Sequence, residues 1–166
     1  VGQHYNPANP QSHRQTAKEI IDDFDGDLGA VIRTTGTGGT ISGLSTVLRQ
    51  EIPGIKIVAT EPDNSPILSK GIACKHRIMG TAPGFIPDTL DQGAYDDIIA
   101  VNADHAMAVA RQLAQQEGIF CGISCGAAVV GMLEYAKREE ARERQLLAIL
   151  ADTGERYLST ELWAST

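Results

Sequence analysis

Aromatic side chains make up only 5% of this sequence, and no apolar run approaches the roughly 20 residues that a membrane-spanning helix needs. A membrane partner is therefore not expected. Basic residues are also in deficit: 14 Lys and Arg stand against 21 Asp and Glu, a formal charge of −7. No bulk cationic surface is left to neutralise a phosphate backbone, which excludes nucleic acid as a partner class. Cysteine is scarce and odd in number (Cys74, Cys121 and Cys125), so a disulfide framework is not expected and a reducing, cytoplasmic setting is. Val1 leads straight into a polar segment without a leader-like apolar stretch, an expectation that points the same way.

Metal-binding spacings are missing too. Cys121 and Cys125 have no histidine pair near them, and Asp23, Asp25 and Asp27 open like a calcium loop but meet Leu28 and Thr34 where glycine and glutamate are required. The four histidines (His4, His13, His76 and His105) show no pairing by spacing and read as surface or capping residues. What the chain does have is glycine, 17 residues of it, with 42% apolar residues in a length of 166, enough for one domain with an ordinary core.

The periodicity alternates between helix and strand. A capping box at Ser12 precedes Ala17, Ile20, Ile21 and Phe24 on one helical face, ending at Asp25-Gly26. Leu28 to Thr34 reads as a buried strand. A helix then starts near Gly39, carries Ile41, Leu44 and Leu48, and stops before Pro53-Gly54, and Ile55 to Glu61 is the next strand. This is a βαβ unit of a parallel sheet. Further strands are expected at Asp97 to Val101 and Gln145 to Leu150. Two more helices are marked by Ala106, Val109, Ala110 and Leu113, closed by Gly118, and by Val129, Met132, Leu133 and Ala136. The stretch from Asn64 to Gly93 has little periodicity and is too long for an ordinary connection, which suggests a functional loop. Lys137 to Arg144 carries both charge signs and reads as a solvated helix end.

The strongest motif is Gly36-Thr37-Gly38-Gly39-Thr40, between a predicted strand and a predicted helix. Free amides and the helix dipole favour an anion there, glycines allow close approach, and the two hydroxyls add donors. A dinucleotide fingerprint fails because Ile41 stands where its last glycine belongs, and a P-loop fails because Leu44-Ser45 replaces its lysine and hydroxyl residue. A glycine-rich turn that merely lets the helix pack closely on the sheet would use the same letters. The second motif, Gly122-Ile123-Ser124-Cys125-Gly126, imitates a nucleophile elbow, but no histidine follows Ser124. Ser124 is left either as a helix cap or as a hydroxyl facing a bound ring.

Taken together, Asn6-Pro7-Ala8-Asn9-Pro10, Thr37-Gly38-Gly39-Thr40-Ile41-Ser42-Gly43, His76-Arg77-Ile78-Met79-Gly80, Pro83-Gly84-Phe85-Ile86-Pro87, Gly122-Ile123-Ser124 and Gly154-Glu155-Arg156-Tyr157-Leu158-Ser159-Thr160 resemble one family in order and nearly end to end. It is cysteine synthase, O-acetylserine sulfhydrylase, of the pyridoxal-phosphate enzymes with the tryptophan-synthase-β fold. The resemblance implies an α/β, three-layer parallel-sheet large domain of fold type II. It implies that Gly36, Thr37, Gly38, Gly39 and Thr40 cradle the phosphate of pyridoxal 5′-phosphate and that Ser124 bonds the ring nitrogen. A hydroxyl there leaves the ring a weaker electron sink than a carboxylate would, which favours elimination over transamination. Gln3 is implied to hold the substrate carboxylate, and Gly80, Gly84 and Phe85 to line the cleft.

The implied reaction replaces the acetate of O-acetylserine with sulfide to give cysteine. The implied assembly is a homodimer, and serine acetyltransferase is an implied partner. A cystathionine β-synthase-like enzyme is the neighbouring alternative, and a truncated, non-catalytic anion- or partner-binding module is the other. The family's Schiff-base lysine belongs to a segment preceding the match to Gln3, and none of Lys18, Lys56, Lys70, Lys75 and Lys137 aligns with it. Residues 1–166 are thus expected to be the C-terminal portion of the large cofactor-binding domain, without the small domain and the N-terminal strands. On that expectation the isolated chain is inactive, and its incomplete sheet leaves apolar edges exposed.

Overall fold

The structure is a computed structural model that describes residues 2–163. Helix α1 (Ala8–Phe24) begins a full turn before the Ser12 box predicted as its start. Asn6 Oδ1 accepts the Ala8 amide at 2.9 Å, and Pro10 is tolerated in the first turn, where its missing N–H would have no partner. Ser12 lies inside the helix, its hydroxyl donating to the Asn9 carbonyl at 2.7 Å. Strand β1 (Ala30–Thr34), helix α2 (Gly39–Glu51) and strand β2 (Lys56–Pro62) form the expected βαβ unit.

The long irregular stretch contains one helical turn, α3 (Ile67–Lys70), and otherwise runs as loop to β3 (Asp97–Val101). Helix α4 (Ala103–Gln112) is capped by the Asn102 side chain and widens into a π turn over Leu113–Glu117. Helix α5 (Ile123–Tyr135) starts well before the Val129 stripe, and β4 (Leu146–Ala148) is shorter than the predicted strand. The Lys137 to Arg144 segment leaves the helix and holds surface ion pairs, including Lys137 with Glu134 at 2.6 Å.

The sheet is parallel throughout, in the order β3-β2-β1-β4. Strand alternation divides the core into two faces. Val31, Ile57 and Ala59 pack with Ala17 and Ile20 of α1 and Ile41, Leu44 and Leu48 of α2. Ala30, Ile32 and Val58 face Tyr135 at the end of α5, and α4 packs along α5 through Ala106, Val109, Ala110, Ala127 and Val130. The result is the three-layer α/β/α architecture expected. Because α5 is covered by the sheet on one side and α4 on the other, it is buried from Ile123 to Gly131, whereas Leu133, predicted to mark its core stripe, is exposed.

After β1 the chain turns to the face of α1 and α2. After β4 it turns to the opposite face, where Gly154 donates to the Phe120 carbonyl and Tyr157 joins the core around α5. Neighbouring strands whose exits diverge leave a crevice at their C-terminal ends, the usual ligand position in an open α/β sheet.

Candidate functional site

The glycine loop lies at that crevice. A cavity of about 230 Å³ is lined by Gln3, Arg33, Thr34, the loop residues Gly36, Thr37, Gly38 and Thr40, then Ile41 and Gly80. The amides of Gly36, Thr37, Gly38, Thr40 and Ile41 find no acceptor among the described residues; the first bond inside α2 runs from Ser42 to the Gly38 carbonyl. A row of unpaired donors at a helix N-terminus is a site for an anion.

The glycines are fixed by contacts. A Cβ on Gly36 would lie 2.5 Å from the Gly80 carbonyl oxygen, and one on Gly39 would lie 2.0 Å from Asn9 Oδ1. Gly38 has φ +78°, a left-handed conformation that glycine adopts without penalty. Gly36 and Gly39 are thus required by close packing, but against the Gly80 loop and α1 and not against the sheet, and packing does not account for the unpaired amides.

Both threonine hydroxyls are aligned by neighbours. Thr37 Oγ1 accepts from Asn9 Nδ2 at 3.0 Å and from the Gly39 amide at 3.2 Å, which occupies its lone pairs and leaves its proton free to be donated. Thr89 holds the same residue's carbonyl at 2.7 Å. Thr40 Oγ1 lies 3.1 Å from His13 Nε2. His13 is thus no surface or capping residue. Burial, and then the charge of Arg33, lower its pKa, so the neutral ring dominates at pH 7. His76 is also engaged, at 3.1 Å from the Ala82 carbonyl, while His105 is exposed as expected.

Of the other predicted residues, Gln3 and Gly80 line the cavity, and a connected space of about 200 Å³ extends past His4, Thr81 and Pro83. Gly84 and Phe85 line neither space; Phe85 stands edge-on to His4 at 5.2 Å between ring centres and is 41% exposed. Ser124 does not line this cavity. It sits in the first turn of α5, not at the cap position, which Gly122 occupies. It is 6% exposed, and its hydroxyl makes no hydrogen bond with any described residue. The five lysines are all exposed, and none borders the cavity.

Sequence reasoning missed two features. The first is Arg33, the cavity's single charged lining residue among the described residues. Its signal was a charge inside an otherwise apolar strand, one turn of chain before the glycine loop. The second is a cluster behind Ser124. Asp152 accepts from Cys125 Sγ at 3.1 Å and from the Tyr157 hydroxyl at 2.5 Å. A hydrogen bond from Cys121 lowers the Cys125 thiol to about 7, while the same bond and burial raise Cys121. Burial and the Asp152 bond raise Tyr157.

A family model described as pyridoxal-phosphate dependent enzyme matches residues 1–152. A cysteine synthase of Staphylococcus aureus (strain N315) is 45% identical over 161 residues, which is 96% of this chain and 52% of the relative. A probable cysteine synthase of Bacillus subtilis (strain 168) is 44% identical over 163 residues, again 96% and 52%. Among solved structures, the cysteine synthase of Entamoeba histolytica superposes with a TM-score of 0.96 at 38% identity, covering 99% of this chain and 49% of that one. An O-ureido-L-serine synthase superposes at 0.94 with 43% identity, covering 99% and 52%. The chain spans about half the length of the curated relatives it matches.

Proposed function

This chain belongs to the family of pyridoxal-phosphate-dependent enzymes, and from that premise we propose that it is the cofactor-binding portion of a cysteine synthase, forming cysteine from O-acetylserine and sulfide. The observation that carries the reading is the set of unpaired amides of Gly36, Thr37, Gly38, Thr40 and Ile41, shaped by glycines that admit no side chain. Such a cradle fits the phosphate of pyridoxal 5′-phosphate. When bound, that group supplies an electron-withdrawing ring, which is what loss of acetate from the β-carbon requires.

The chain's own residues divide the remaining work. The amides and the freed Thr37 proton hold the phosphate. His13, neutral, lies 3.1 Å from Thr40 Oγ1 through Nε2; with its proton on Nε2 it would donate to that oxygen and turn the Thr40 proton to the phosphate. Ser124, whose hydroxyl has no described partner, meets the ring nitrogen. Gln3 takes the substrate carboxylate, with Gly80, Gly84 and Phe85 forming the mouth. The parent protein works as a cytoplasmic homodimer and offers its cleft to serine acetyltransferase.

Two measurements test this. Mixing the chain with pyridoxal phosphate, then reducing with borohydride and mapping peptides, is expected to give bound cofactor without fixation at a lysine; stoichiometric fixation at one of the five lysines would overturn the assignment. Assay of the intact gene product is expected to yield cysteine from O-acetylserine and sulfide. Turnover with serine and homocysteine alone would favour the cystathionine-forming alternative instead.

A further inference from the structure

Arg33 is the residue for which the site as described has no use. Its register on β1 points it to the face of α1 and α2, beside His13, and it lines the cavity with Gly36, Thr37, Gly38 and Thr40. The guanidinium is largely buried. Among the described residues its Nε is sealed from solvent without an acceptor, and the one hydrogen bond it makes, Nη1 to Thr34 Oγ1, is long at 3.4 Å. No carboxylate of the described residues forms an ion pair with it. The acidic groups that bear on it are Cys125 first and Asp152 second; these are bonded to each other, and Asp152 also to Tyr157, and among the described residues neither makes a hydrogen bond or ion pair with the guanidinium. A buried guanidinium without a counter-ion is costly, and proteins keep one where a ligand supplies the missing charge.

We propose that Arg33 is an anion ligand of this site, its planar fork closing on the phosphate of the cofactor together with the unpaired amides of Gly36, Thr37, Gly38, Thr40 and Ile41. This rests on the cofactor reading and extends it. Helix-end amides share out partial charges and bind phosphate without specifying its ionisation, whereas a guanidinium adds a whole positive charge and two parallel donors. The cavity then selects a dianionic phosphate ester over an uncharged analogue with the same ring.

The test titrates the 166-residue chain with pyridoxal 5′-phosphate, pyridoxal and inorganic phosphate, followed by calorimetry and phosphorus NMR. Arg33→Gln is expected to weaken the two phosphate ligands roughly 10- to 100-fold and leave pyridoxal unchanged, with Arg33→Lys recovering part of the loss. An independent readout uses no ligand: Arg33→Met removes an uncompensated buried charge, so the melting temperature of the free chain should rise by about 2–4 °C.

Unchanged phosphate affinity in Arg33→Gln would overturn the proposal while leaving the cofactor reading intact. An equal loss for pyridoxal would place Arg33 against the ring and overturn it too. A lower melting temperature in Arg33→Met with unchanged binding would make the residue structural. Failure of the wild-type chain to bind any phosphate ligand would instead sink the cofactor reading itself.

Discussion

At Gly36 the obstacle to a side chain is backbone, not another side chain. The Gly80 carbonyl that a Cβ would strike belongs to a segment pinned to β1 by the Ala82 amide, which donates to the Thr35 carbonyl at 2.9 Å. Gly36→Ala must therefore push the two loop segments of the cavity wall apart. We expect a loss of about 1–3 kcal/mol in urea denaturation together with at least a tenfold weaker grip on pyridoxal phosphate; retained affinity would show that the wall gives way freely. His13 makes a second prediction at this scale. Its folded-state pKa lies below the ordinary 6.5, so folding disfavours the proton, and the stability it contributes is present above pH 6.5 and fades as pH falls through the lowered value. Melting curves of wild type and His13→Asn should converge toward acid pH, and parallel curves would sever the link. The glycine loop was legible in the sequence because glycine and threonine have few other reasons to cluster between a strand and a helix. Arg33 and His13 were not, because spacing along one chain says nothing of which residues meet across a cavity.

Helices α1 and α2 approach so closely that a Cβ on Gly43 would sit 2.2 Å from the Pro10 carbonyl of α1. Gly43→Ala should separate the two helices and cost about 1–3 kcal/mol, while Leu133→Ala, on the exposed side of α5, should stay within about 0.5 kcal/mol of wild type in the same denaturant titration. The contrast also explains which elements could be read in advance. Amphipathic α1 and α2 announce themselves by a stripe, since one side of each meets solvent. Helix α5 is enclosed by the sheet and α4, so its apolar residues run nearly all round, and a stripe drawn through Val129, Met132 and Leu133 found two core residues but counted the exposed Leu133 with them, while the helix starts at Ile123, just ahead of the Ser124 read as its cap. The start of α1 was hidden for another reason. The cap is made by Asn6 across Pro7, while the serine that looked like a cap is spent on a carbonyl inside the helix.

Across the whole molecule, the sheet has a closed middle and open ends. β4 pairs with β1 on one side and, among the described residues, with nothing on the other, and its Leu146 to Ala148 run is half-buried. Unpaired backbone beside apolar side chains invites a further strand. Sedimentation velocity should show concentration-dependent association of this chain, and a monomer at every concentration would count against an edge that recruits partners. The α/β class and the βαβ unit were legible from alternating periodicities, but strand order was not, since β4 is short and takes its place beside β1 only through packing. That placement sets a timetable for folding. The pairing of Ala30 with Leu146 joins opposite ends of the chain, whereas β1 meets β2 across a single helix. Loop-closure entropy makes the first pairing the slower one. The glycine loop and α2 can therefore be native-like while the sheet still lacks β4. In pulsed hydrogen exchange the amides of β2 should gain protection before those of β4, so that the cavity between Gly36 and Gly80, to which β4 contributes no lining residue, takes shape before the sheet acquires its far edge.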